Sequence, residues 1–126
     1  MQTPFEIIIA DASSIIVLYE SHLLNLLHKI YFQVTVTPQV AQEIKIPLPD
    51  WMKINAPSDN QIFSTLLKDL DEGEASSIAL ALEHKNSLLI IDEKDGRKIA
   101  ASLNLQIIGT LAVLLEAKQK KFYNKL

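Results

Sequence analysis

Apolar residues in this chain fall into short β-branched runs alternating with longer stripes at helical spacing. Two of the runs end abruptly at an acid. Glu6 to Ala10 (Glu-Ile-Ile-Ile-Ala) stops at Asp11, and Leu88 to Ile91 (Leu-Leu-Ile-Ile) stops at Asp92. Continuous apolar runs of this length read as strands buried on both faces, the pattern of a parallel sheet covered by helices. After the first strand, Ile15, Leu18, Leu23, Leu26 and Leu27 recur at roughly helical spacing, with Ser13 or Ser14 available as a cap. This predicts one first helix that carries both His22 and His28. Val34 to Val36 is a short strand by propensity. Thr37-Pro38 then reads as an N-cap followed by proline at the first helical position, opening a helix to about Ile44 that carries Glu43. Pro47 and Pro49 break it. Trp51 to Ala56 fits either an edge strand or a loop.

In the second half, Ser58 to Gln61 has the form of a capping box and opens a helix through Ile62, Phe63, Leu66 and Leu67. Asp71-Glu72-Gly73-Glu74 opens the next, a run of small and apolar residues that ends near Asn86. The strand Leu88 to Ile91 follows, then a helix from about Gly96 to Leu103, with Asn104 as its terminator. Leu105 to Ile108 is a further strand. Gly109-Thr110 leads into a last helix from Leu111 to about Lys118, with Thr110 as the cap, and Lys118 to Lys121 form a solvated basic end. Strands alternating with helices predict an α/β fold: a Rossmann-like central parallel sheet of four or five strands flanked by helices, over residues 1–126 as one domain.

Composition narrows the function classes. The 126 residues are 48% hydrophobic, enough for one core, and the net charge is −3. A broad phosphate-binding surface needs clustered Lys and Arg, so the charge argues against a generally basic nucleic-acid binder, whereas it does not exclude an enzyme that meets nucleic acid through metal ions. The absence of Cys removes disulfides and thiolate metal sites, and three His residues make a His-rich zinc site a poor fit. No apolar run approaches the roughly 20 residues of a membrane span. Met1 to Glu6 lacks the basic start of a signal peptide, so a cytoplasmic protein is expected.

Four acids stand where this topology could gather them. Asp11 and Asp92 each end a strand, Glu74 lies in a helix first turn, and Glu43 lies on the helix after the second strand. In open parallel sheets, ligands bind outside the carboxyl ends of the strands. Several carboxylates in a partly desolvated cleft repel one another, and a divalent cation offsets that repulsion. Oxygen donors without Cys or His favour Mg²⁺ or Mn²⁺. Each acid also has a plainer reading. Asp11 could cap the first helix. Asp71 and Glu74 fit a capping box, in which Glu74 serves the helix end. Glu43 could be an exposed helix glutamate, and Asp92 could initiate a turn. Glu93 and Asp95 are candidate additional acids or a solvated turn. The histidines lack evident partners and read as structural. Lys94, Arg97 and Lys98 form a small basic group beside Asp92, either a solvated helix face or contacts to backbone phosphates.

The order of these motifs resembles PIN-domain proteins. Ile-Ile-Ile-Ala-Asp11-Ala-Ser-Ser is similar to their opening strand and first acid, and Val34-Thr-Val-Thr-Pro38-Gln-Val-Ala-Gln-Glu43-Ile to their second acidic motif. Leu70-Asp-Glu-Gly73-Glu74-Ala-Ser-Ser resembles the third, and Leu-Leu-Ile-Ile-Asp92-Glu-Lys-Asp-Gly-Arg-Lys-Ile-Ala the fourth. With Leu105-Gln-Ile-Ile-Gly-Thr110-Leu-Ala-Val-Leu-Leu, the last two look most like the branch called DUF3368, close to VapC-type toxins. The resemblance implies a Mg²⁺- or Mn²⁺-dependent ribonuclease with Asp11, Glu43, Glu74 and Asp92 as its acidic quartet. It also implies an RNA substrate, a homodimer and an antitoxin protein as partner. Asp11, Glu74 and Asp92 match metal ligands, and Ser13 matches the small hydroxyl residue near the first acid. Ser13, Lys94, Arg97, Lys98 and Thr110 are candidates for substrate contact. Lys94 stands where many family members carry an acid, with Glu93 and Asp95 on either side. A PIN-like module acting by RNA or protein binding alone is the alternative. A phosphatase with a nucleophilic Asp would want a second Asp at position 13, which is Ser13.

Overall fold

The computed structural model describes residues 4–122. Five strands form one all-parallel sheet: β1 (Ile7–Ala10), β2 (Val34–Val36), β3 (Met52–Ile54), β4 (Ser87–Ile90) and β5 (Gln106–Ile108), in the order β3-β2-β1-β4-β5. Seven helices connect and flank them: α1 (Ala12–Glu20), α2 (Asn25–Tyr31), α3 (Pro38–Ile44), α4 (Asn60–Leu66), α5 (Glu72–Leu82), α6 (Lys94–Ser102) and α7 (Thr110–Gln119). The stretch after Trp51 is therefore an edge strand and not a loop.

Side chains alternate across a strand, so each central strand feeds two cores. Ile8, Ala10, Leu88 and Ile90 pack against residues of α1, α2, α3 and α7 such as Ile15, Leu18, Leu27, Val40 and Val113. Ile9, Leu89 and Ile91 face the other way, onto Ala75, Ile78 and Ala81 of α5 and Ala100 of α6. The register explains why both sets agree: Ile8 pairs with Leu88, Ile9 with Leu89 and Ala10 with Ile90. Helix α5 is buried on nearly every side, and its small residues permit that. Its buried hydroxyls find acceptors at home: Ser76 and Ser77 donate to the Gly73 carbonyl at 3.1 and 2.7 Å.

Three local expectations are corrected. The first helix is two, because the chain breaks between Glu20 and Asn25. Ser21 ends α1, and His22 takes a left-handed φ of 61°. Leu23 N–H donates to Leu18 O at 2.8 Å and His22 N–H to Tyr19 O at 3.1 Å, a Schellman ending with His in the place usually held by Gly. His22 therefore lies in the break, and only His28 is helical. Secondly, the cap of α4 is Asp59 and not Ser58; its carboxylate accepts from Gln61 N–H and Ile62 N–H. Thirdly, neither Ser13 nor Ser14 caps α1, where Asp11 holds the N-cap position, and Gly109 rather than Thr110 is the N-cap of α7. Asn104 does end α6, with a φ of 63°.

The strand order fixes where a site can form. The chain leaves β1 toward β2 on one side, and β4 later lies against β1 on the other. The crevice at such a switch point, at the carboxyl ends of the strands, is where open α/β sheets bind ligands. Asp11 and Asp92 follow the two strands that border it.

Leu89 is fully buried in the centre of β4. Leu89→Ala should lower unfolding free energy by about 2–5 kcal/mol, measured by urea denaturation, against a change within about 0.5 kcal/mol for the exposed edge substitution Lys53→Ala. A loss under about 1 kcal/mol at Leu89 would contradict a doubly covered central strand.

Candidate active site

Asp11 is almost fully buried, and its backbone N–H continues the ladder by donating to Ile90 O at 3.0 Å. Its carboxylate makes no capping hydrogen bond to α1. Glu74 is equally buried, one turn into α5. It is also half of a capping box: Asp71 Oδ1 accepts from Glu74 N–H at 2.8 Å, and Glu74 Oε1 accepts from Asp71 N–H at 3.4 Å. The capping reading and the cleft reading of Glu74 are thus both fulfilled, by one side chain held at the helix start.

The acids are brought together as neighbours. A Cβ built on Gly73 would lie 2.9 Å from Glu43 Oε1 and 3.3 Å from Asp11 Oδ1, so the missing side chain leaves a gap flanked by those two carboxylates. Glu93 caps α6, accepting from Gly96 N–H at 2.9 Å, and its side chain lies within hydrogen-bonding reach of the Glu74 carboxyl. Asp95 is exposed, so of the two additional acids only Glu93 meets the cluster.

Burial and mutual repulsion act on the same groups. Burial raises the Asp11 carboxyl to about 6, and Asp71, Glu43 and Glu93 add to it against the opposing pull of the Ala12 amide. Burial also raises Glu74, to about 8, with Asp71, Glu93 and Asp11 contributing. Glu43 moves up through burial and Asp71, and Glu93 moves down through the Gly96 and Asp95 amides. No Lys or Arg ion-pairs with these acids among the described residues.

Asp92 is placed differently. It is exposed, and its carboxylate lies over the start of α7. Oδ1 accepts from Thr110 N–H at 2.7 Å, and Oδ2 accepts from the Thr110 hydroxyl and, at 3.4 Å, from the Ser14 hydroxyl. Ser14 is buried and reaches Asp92, whereas Ser13 is exposed. Arg97 donates to Ile91 O at 2.8 Å, while Lys94 and Lys98 are exposed. Sequence reasoning placed Asp71 in the capping box, where it is, but missed its influence on Asp11 and Glu74, the contact of Ser14 with Asp92 and the hold of Thr110 on Asp92. The clue to Ser14 was its spacing: three residues after Asp11 puts it on the same helical face.

The donor set suits a hard divalent cation by atom type and by charge. The carboxylates face one another in pairs, and among the described residues no three acidic or His side chains form a ready-made ligand group.

A family model described as a PIN domain, DUF3368, matches residues 7–126. The chain belongs to the PIN-domain family. No curated protein matches it. PIN domains have a nuclease-like fold, generally depend on divalent metals and often bind RNA. The acids of this PIN domain lie at the sheet edge and switch point where such chemistry would be housed.

Because the folded PIN domain holds protons on Asp11 and Glu74 that the unfolded chain releases near pH 4, the metal-free protein binds more protons folded than unfolded above that pH. The stability that these two acids contribute should therefore be fully present at low pH and be lost as pH rises through about 6 for Asp11 and about 8 for Glu74. Urea denaturation in chelator across pH 5 to 9 measures this, and Glu74→Gln should flatten the decline. A stability that rises over this window and is unaffected by Glu74→Gln would show that these acids are not proton-holding in the fold.

Proposed function

We propose that this PIN domain is a Mg²⁺- or Mn²⁺-dependent ribonuclease that hydrolyses RNA phosphodiesters. The observation that carries the reading is the pair of buried acids, Asp11 and Glu74, whose pKa values are raised by burial and by neighbouring acids, Asp71 and Glu93 acting on both and Glu43 on Asp11, with no ion-paired cation among the described residues. Carboxylates held so close call for positive charge, and the gap at Gly73 lies between two of them.

In this reading Asp11 and Glu74 are metal ligands with Asp92 and Glu43, each acting directly or through water. A bound ion lowers the pKa of water and offsets charge on the phosphoryl oxygens. The chain's own groups do the rest. Glu43 orients water at the gap beside Gly73. Glu93, within hydrogen-bonding reach of Glu74, raises the Glu74 pKa and so helps set its charge. A polar groove lined by Gln39, Gln42, Glu43, Asp71, Glu72 and Gly73 opens beside the gap and offers a path for the RNA strand. Exposed Lys94 and Lys98 flank Asp92 for phosphate contact, with Ser13 a further hydroxyl at the rim. Arg97 is committed to Ile91 O through one nitrogen and has others to offer.

The biological setting in this proposal is the cytoplasm, as the toxin of a toxin–antitoxin pair. Among the described residues no helix is long and apolar enough to cross a membrane. Leu111 and Leu115, one turn apart on α7, are 70% and 50% exposed and supply apolar surface for an antitoxin or for a second copy in a homodimer. A second reading, a PIN-like module acting by RNA or protein contact alone, draws on the pairwise rather than convergent carboxylates.

Calorimetric titration with Mn²⁺ and cleavage of a mixed RNA pool test the proposal. Wild type should bind the ion and cleave. Asp11→Asn should lose the binding heat and at least about 100-fold of the rate, more than the roughly 10–100-fold that outer-shell changes cause. Wild type that binds RNA without taking up metal or cleaving would favour the binding module.

A further inference from the structure

We infer that Thr110 is the positioning residue for Asp92, gripping both carboxylate oxygens from the start of α7. The inference rests on the ribonuclease reading for its catalytic consequence and on the hydrogen bonds alone for its structural one.

A carboxylate at the end of a strand can rotate freely unless both oxygens are engaged. Here Oδ1 takes the Thr110 amide at 2.7 Å and Oδ2 takes the Thr110 hydroxyl, so one residue supplies both contacts. The amide is one of the first N–H groups of a helix, which have no partner within the helix. Gly109 has no side chain with which to cap it, and Asp92 takes that place from 18 residues away. The positive end of the α7 dipole faces this carboxylate.

Two neighbours leave the carboxylate little choice. A Cβ on Gly109 would stand 3.1 Å from Asp92 Oδ1 and 3.2 Å from Arg97 Nη1, so the glycine is what allows the carboxylate to settle so near the backbone. Ser14, on α1 beside Asp11, reaches Oδ2 at 3.4 Å from the opposite side of the cleft. Thr110 itself is buried, which makes it a poor candidate for direct substrate contact. Fixing a carboxylate near a metal through outer-shell hydrogen bonds preserves the direction of the free lone pairs.

The test compares wild type, Thr110→Val, Thr110→Ser and Asp92→Asn, with the double variant Thr110→Val/Asp92→Asn. Thr110→Val keeps the amide and the shape but removes the hydroxyl. Mn²⁺ affinity by calorimetry and kcat on RNA should each fall roughly 10–100-fold, with KM nearly unchanged and Thr110→Ser close to wild type. In the Asp92→Asn background, Thr110→Val should change neither further, because the two residues act as a unit. Equal Mn²⁺ affinity and kcat in wild type and Thr110→Val would overturn the inference. If wild type neither binds Mn²⁺ nor cleaves RNA, the ribonuclease reading fails, and the clamp is then judged by thermal unfolding of the same five proteins. Non-additive stability losses would uphold it, and additive losses would overturn it.

Discussion

The placement of β1 beside β4 is the constraint on which the rest of the molecule depends. It makes Asp11 and Asp92 neighbours across the switch point and points the helices that follow each strand back over the two faces of the sheet. The starts of α1, α5, α6 and α7 consequently meet at one edge. Each holds an acid: Asp11 at α1, Asp71 at α5, Glu93 at α6 and Asp92 at α7. Helix N-termini tolerate negative charge, which lets a chain with few cations at this edge collect so many carboxylates. The compensation has limits. Where burial is deep, at Asp11 and Glu74, desolvation outweighs the favourable contacts and pushes both carboxyls above the usual carboxylate range.

Glycine use makes the same point from the backbone. The chain has three glycines, and none takes a positive φ. Gly73 and Gly109 instead allow carboxylates to approach the main chain, and Gly96 packs against Ile91 close to Glu74. The positive-φ positions at helix ends go to His22, Phe32, Lys45, Asn104 and Lys121. A non-glycine residue there carries a penalty of about 1–2 kcal/mol, lower for Asn. Glycine is thus placed where a Cβ would collide with the site, while ordinary side chains absorb strain at the helix ends.

Structural and chemical roles coincide in single residues here. Glu74 completes a capping box with one oxygen while its carboxyl meets Glu93. Asp92 ends a strand, caps a helix that begins 18 residues later, and faces the cleft. Such overlap means that a helix-capping pattern in a sequence does not argue against a site, because the orphan amides of a helix start and a hard metal ion both call for carboxylate oxygens.

Much was legible in the sequence because local chemistry alone decided it. Continuous Ile and Leu runs marked the buried strands, Thr37-Pro38 marked the start of α3, and the acids at strand ends and helix starts marked the edge of interest. The break between α1 and α2 was not legible, since a Schellman ending with His at the left-handed position carries no glycine signal. Nor could spacing separate Ser14 from Ser13, or show that Thr110 serves Asp92 across 18 residues. Those facts depend on which strands are neighbours and how far each side chain is buried. The sequence determined which residues could be acids at a sheet edge. Only the tertiary structure decided that Asp11 and Glu74 are buried with raised pKa values while Asp92 is exposed and clamped, because desolvation and non-local hydrogen bonds exist only once the layers have packed.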